Sequence, residues 1–145
     1  MRLEAQLVAE TYHLLREEGY NEKSFFMEYY YVKKIGNENR KLKADLIYGD
    51  DESTHVVEFK AIKNRNLKEG GDFRSSTKKI IKDTYDKLID YSAFKEVGYL
   101  AMVIAFLGPN DFYHPKSFAE SVIEALHGNT KFKGRRGQEI EILPC

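Results

Sequence analysis

Apolar residues recur at three- and four-residue spacing near the start of the chain. Leu3, Leu7, Val8, Leu14 and Leu15 share one side of a helical wheel, and the pattern stops at Gly19. This predicts an amphipathic helix over 2–18. Phe25 to Ile35 is aromatic and β-branched and is followed by Gly36-Asn37, which predicts a strand and a turn. Lys41 to Tyr48 and His55 to Ile62 predict two more strands, joined as a hairpin by the polar run Gly49-Asp50-Asp51-Glu52-Ser53-Thr54. Asn64 to Ser75, with Gly70-Gly71 inside it, predicts a mobile basic loop. Ser75 or Ser76 then offers a cap for a helix reaching about Tyr91, with Ile81, Tyr85, Leu88 and Ile89 on its apolar side. Val97 to Leu107 is apolar on both faces, as a central strand covered by helices on each side would be. Lys116 to Leu126 predicts a third helix, and Glu139 to Leu143 a short last strand. The resulting order, α-β-β-β-α-β-α-β, predicts an α/β fold with a mixed central sheet flanked by helices.

Composition narrows what such a fold can do. The 145 residues suit a single domain spanning 1–145, and 42% apolar residues are core material enough to exclude intrinsic disorder. Cys145 is the only cysteine, so no internal disulfide, CxxC redox pair, cysteine-bound zinc or iron-sulfur cluster can be built. His13, His55, His114 and His127 lack the spacing of a histidine zinc site. The N-terminus has no secretory h-region, and the longest apolar run, Tyr99 to Leu107, is less than half of what a membrane helix needs. A cytoplasmic protein without a membrane partner is expected.

Net charge is zero, 23 basic residues against 23 acidic, but the charge is segregated. Residues 1–28 carry −3, 29–44 carry +4, 45–59 carry −5, 60–82 carry +6, 83–127 carry −4 and 128–145 carry +2. A compact acidic stretch bracketed by basic ones can hold a divalent cation beside a polyanion. Solvated loops carry similar clusters, so the charge blocks alone do not separate these readings.

The hairpin sharpens the picture. Residues two apart in a strand share a face, so Glu58 and Lys60 are set together while Val57, Phe59 and Ala61 take the other side. If Tyr48 pairs with His55, Asp45 lies directly opposite Glu58, with Cβ atoms roughly 5 Å apart. Two facing carboxylates repel unless one takes up a proton or a cation lies between them. Magnesium or manganese would resolve the conflict, with the Phe59 carbonyl as a further ligand. The bland alternative is a Glu58–Lys60 surface pair beside an unrelated Asp45, but Val56 and Ile62 flank that pair with apolar side chains.

Asp45, followed thirteen positions on by Glu58-Phe59-Lys60 in a hairpin behind an N-terminal helix, resembles the PD-(D/E)xK nuclease superfamily, whose restriction-endonuclease-like core has the order αβββαβ. The resemblance covers about residues 2–107 by element order and three residues by motif; Ala44 replaces the name-giving proline. It implies a Mg2+- or Mn2+-dependent endonuclease acting on DNA. Asp45 and Glu58 would hold the metal, and Lys60 would orient water and phosphate. A glutamate from the first helix would assist, Glu4 for preference and Glu10 in reserve, with Lys82 or Lys87 as an accessory group on the following helix. The DNA-binding residues expected are Lys63, Arg65, Lys68 and Arg74 in the loop, with Lys78, Lys79 and Lys82 in the next helix, where phosphates would relieve their conflict with the helix dipole. Lys131, Lys133, Arg135 and Arg136 form a second candidate contact, and Lys33, Lys34, Arg40, Lys41 and Lys43 a third. Tyr29 to Tyr31 can stack on bases or fill core. The alternatives are a Holliday junction resolvase working as a homodimer, a non-cleaving nucleic-acid-binding module, or an RNase toxin on the same scaffold, so RNA stays open as a substrate.

Overall fold

The computed structural model describes residues 3–21, 24–35, 38–49, 54–92, 97–109, 111–126, 132–133 and 139–144, with the side chains of 3, 26–35, 38–42, 132–133 and 139–144 left aside. It is a mixed α/β structure. Three helices, α1 (Leu3–Glu17), α2 (Ser75–Tyr91) and α3 (Pro115–Ala125), accompany six strands: β1 (Phe25–Ile35), β2 (Glu38–Gly49), β3 (Thr54–Ile62), β4 (Val97–Phe106), β5 (Phe132–Lys133) and β6 (Glu139–Pro144). The strands form one sheet in the order β1-β2-β3-β4-β6-β5. β1, β2 and β3 are antiparallel neighbours, while β4 runs parallel to both β3 and β6. Strands consecutive in the chain therefore build the antiparallel half. Helical crossovers, which parallel strands require, build the other half.

The sheet is covered on both faces, and the alternation of side chains along the strands decides which helix sees which residue. Val8 of α1, helped by Leu7 and Leu15, packs on Leu46, Val57, Phe59 and Ala101. On the opposite face Ile81, Leu88, Tyr91, Phe118 and Val122 of α2 and α3 meet Ile47, Val56, Ile62, Leu100, Met102 and Ile104. Fully burying each such side chain contributes about 1.5–3 kcal/mol. Leu14 departs from the expected α1 stripe: it is 62% exposed, because the helix meets the sheet through Leu7, Val8 and Leu15 and leaves Leu14 on its shoulder.

Three local expectations are corrected. The segment between β3 and α2 is an anchored loop. A 3-10 turn at Asn64–Asn66 leads into Leu67 and Phe73, both without solvent exposure, which pair across a short bridge. The Asn64 Oδ1 accepts from Phe112 N at 2.8 Å, and the Ser121 hydroxyl accepts from Phe73 N at 3.1 Å. Gly70 and Gly71 sit at φ 97° and 103°, the left-handed turn that lets the loop double back and bury those two apolar residues. Neither Ser75 nor Ser76 caps α2. Arg74 takes the N-cap position, its backbone carbonyl accepting from Thr77 N and Lys78 N. β5, two residues long, has no periodicity to reveal it and exists by pairing with β6. No helix among the described residues is long and apolar enough to cross a membrane.

Candidate active site

The β2–β3 ladder runs from Gly49↔Thr54 through Tyr48↔His55 to Leu46↔Val57, the register expected for the hairpin, and ends there. Asp45 and Glu58, next in line, do not form a ladder pair. Their side chains bond to main chain across the gap. The Asp45 N–H donates to Glu58 Oε1 at 3.4 Å, and the Phe59 N–H donates to Asp45 Oδ2 at 2.9 Å. Further along, the Ala61 N–H donates to Glu4 Oε1 at 3.3 Å. In an antiparallel strand the N–H groups of alternate residues point at one neighbour. Those of Phe59 and Ala61 point toward β2, which has diverged, and two carboxylates stand in for its missing carbonyls. The two strands thus part into a fork lined by Glu4, Asp45 and Glu58. The divergence is also felt in packing: Ala44 and Leu46, two apart in β2, belong to opposite apolar clusters.

Within β3 the expected faces hold. Val56 and Ile62 pack on the α2–α3 side and Val57 and Phe59 on the α1 side, so Glu58 and Lys60 share the α2–α3 face. Glu58 is 2% exposed among those apolar neighbours. Burial first, and then the negative charge of Asp45, push its carboxyl up to about 8, against a usual value of 4.5. Lys87 of α2 opposes this, its Nζ lying 3.3 Å from Glu58 Oε2. Lys60 is half-buried and makes no ion pair with a described residue; the amine that reaches the buried glutamate is Lys87.

The two accessory lysines are thereby told apart. Lys82 turns outward to Asp86 at 2.7 Å, whereas Lys87 lies at the spacing of Thr84, Leu88 and Tyr91, the buried side of α2. Glu10 is exposed and has no described contact with the fork, which leaves Glu4 as the glutamate of α1 that reaches it.

The expected nucleic-acid residues divide into two groups. Lys78 is paired with Glu124 of α3 at 2.7 Å, Lys79 with Asp83 at 3.2 Å, and Lys82 with Asp86. Each thus has a carboxylate of its own, so no phosphate is needed to balance it. Lys78 holds the Glu124 carboxyl below its usual range. Lys63, Arg65, Lys68 and Arg74 carry no ion pair with a described residue, and the last three are exposed on the anchored loop. Lys131, Arg135 and Arg136 lie outside the described residues, as do the side chains of Tyr29, Tyr30, Tyr31 and Lys133.

Could the fork hold a metal? Among the described residues no three His, Cys, Asp or Glu side chains are gathered into a ready-made cage. A small hard cation that keeps several of its waters needs only one or two carboxylates. Asp45 and Glu58 are two such groups, both within reach of one gap, and the Phe59 carbonyl points to the same side as its N–H. Burial first, and then the facing Asp45, disfavour a charge on Glu58, and a cation between the two carboxylates would ease the repulsion between them. The donor set therefore fits magnesium or manganese, with Lys87 already placing one positive charge beside Glu58. No protein-family model matches the sequence, and no curated protein is significantly similar to it.

Proposed function

We propose that this chain is a metal-dependent endonuclease that hydrolyses phosphodiester bonds in DNA, built on a restriction-endonuclease-like αβββαβ core. The single observation carrying the reading is the fork itself. Two carboxylates from neighbouring strands meet where the ladder stops, one of them 2% exposed and pushed up to about 8. A buried acid is costly to ionise, and Lys87 offsets only part of that cost for Glu58. A buried, perturbed carboxylate with a specific charge partner marks a candidate functional site.

Asp45 and Glu58 would hold Mg2+ or Mn2+, with the Phe59 carbonyl beside them. Such an ion supplies charge neutralisation at the scissile phosphate and an acidified water. The remaining work falls to the chain. Lys60, on the Glu58 face two residues along, is the amine placed to meet a phosphate oxygen or orient the attacking water. Lys87 holds Glu58 in one rotamer. Glu4 ties α1 to β3 by accepting from the Ala61 N–H beside the fork. Lys63, Arg65, Lys68 and Arg74 supply the positive surface along which a strand would run, with Lys78, Lys79 and Lys82 secondary because of their internal partners.

The test is nicking of supercoiled plasmid DNA in Mg2+, Mn2+ or EDTA. Cleavage should require a metal and fall at least about a hundredfold in Asp45→Asn and Lys60→Ala. Equal activity of these variants with the wild type, or cleavage undiminished in EDTA, would overturn the proposal. Degradation of RNA with DNA left intact would move the substrate and keep the site.

A further inference from the structure

The β1–β2 hairpin outruns the sheet it belongs to. β2 is paired with β1 from Glu38 to Tyr48, but with β3 only from Leu46 to Gly49. Among the described residues, the stretch of β2 from Glu38 to Asp45 therefore has β1 as its one strand neighbour, and β1 is the edge of the sheet. Ala44 is still buried in the core, so the part of the ribbon beyond it runs from Glu38 to Lys43, six residues at about 3.4 Å each, or about 20 Å of two-stranded ribbon that begins two residues from Asp45.

The register gives this ribbon an unusual charge pattern. Tyr30 stands opposite Lys43, Val32 opposite Lys41, Lys34 opposite Asn39, and Lys33 directly opposite Arg40. Over residues 29–44 there are five basic residues and one acidic, a net charge of +4. Like charges at directly opposite positions destabilise a strand pair, and an isolated two-stranded ribbon is marginal in water to begin with. A ribbon selected for its own stability would set Glu or Asp against Lys33 or Arg40. A polyanion lying along it would reverse the sign of the repulsion.

We infer that the β1–β2 ribbon is a duplex-DNA-binding arm that lies in the major groove, with positions 33, 34, 40 and 41 of its register, Lys33, Lys34, Arg40 and Lys41, supplying the positive charge that phosphates would balance. The groove is about 12 Å wide and admits a two-stranded β-ribbon. The ribbon's length matches about six base-pair steps of 3.4 Å. Its base lies two residues from Asp45, so DNA held by the arm is delivered to the fork. The inference rests on the nuclease reading for the direction of delivery, while its charge argument is independent of any cleavage. A second copy pairing along the β1 edge is disfavoured, because it would bring two +4 ribbons together.

The experiment measures binding, without turnover. Full-length wild type and a Lys33→Gln/Arg40→Gln/Lys41→Gln variant are titrated against a fluorescent duplex of about 30 base pairs in EDTA, from roughly 50 to 200 mM salt. Three lost phosphate contacts should make the slope of log affinity against log salt shallower by about 2 to 3, and weaken binding about tenfold or more in the middle of the range. Removing the Lys33–Arg40 repulsion should leave the melting temperature equal to or above that of wild type, so weaker binding is not explained by unfolding. An unchanged slope overturns the inference, as does tighter binding to an A-form RNA duplex, whose narrow major groove excludes a ribbon. The two readings fail separately: metal-dependent nicking with an unchanged slope removes the arm and keeps the nuclease. A shallower slope in a protein that never nicks does the opposite.

Discussion

Glu58 should make this protein less stable as the pH rises from acid to mildly alkaline, and Glu58→Gln should abolish that dependence. The folded-state carboxyl titrates near 8 and an unfolded one near 4.5, so between these values the native state binds more protons than the denatured state. Stability contributed by the protonated, buried group is complete below about pH 4.5 and is lost progressively as the pH climbs through 8. At 1.36 kcal/mol per pH unit the gap corresponds to up to about 5 kcal/mol. That is a large share of the 5–15 kcal/mol typical of a domain. Burial is the leading cause, Asp45 the next, and Lys87 already works against both. Glutamine keeps the shape of the protonated acid, with one acceptor oxygen and one donor group, and carries no charge. Urea unfolding in EDTA at several values between about pH 5 and pH 9 should therefore show wild type and variant converging at low pH. The variant should pull ahead by several kcal/mol above pH 8. Parallel curves across the whole range would refute the reasoning, because they would mean that Glu58 is ionised in the folded protein throughout.

Two further outcomes follow from the same geometry. Lys87→Met removes the cation 3.3 Å from Glu58 and should lower stability at pH 8 by about 1–3 kcal/mol, with little change in a Glu58→Gln background; equal losses in both backgrounds, read by thermal unfolding, would show that the lysine acts by packing alone. Gly71→Ala should cost about 1–3 kcal/mol in the same assay, since φ is 103° and an added Cβ would meet the Phe112 carbonyl at 3.0 Å and His114 Cβ at 3.1 Å; an unchanged melting temperature would mean that the loop relaxes freely.

The contrast between strands and loop explains what could be read in advance. Period-two and period-3.6 patterns are consequences of which side of an element meets the core, so β3 with its Val56, Val57, Phe59 and Ile62, and α2 with Ile81 and Leu88, were legible from spacing. The Tyr48↔His55 register followed from turn length and pattern, and it drew Asp45 and Glu58 together. Leu67 and Phe73 were hidden because glycine and polar neighbours mask an isolated pair of buried residues, which only α3 and Ser121 draw inward. The ion pairs of Lys78 and Lys87 cross between elements far apart in sequence, and no local pattern encodes such a distance.

Sequence alone determined the order of every helix and strand except β5, the two-sided burial of the central strands and the convergence of an acid on each arm of one hairpin, because these depend on side-chain periodicity and on short-range pairing. The divergence of β2 from β3, the carboxylates that take over their missing ladder bonds, and the choice of Lys87 over Lys60 as partner of Glu58 were decided only in three dimensions. Each depends on how far strands and helices separate once both faces of the sheet are packed, and that separation is a property of the assembled layers.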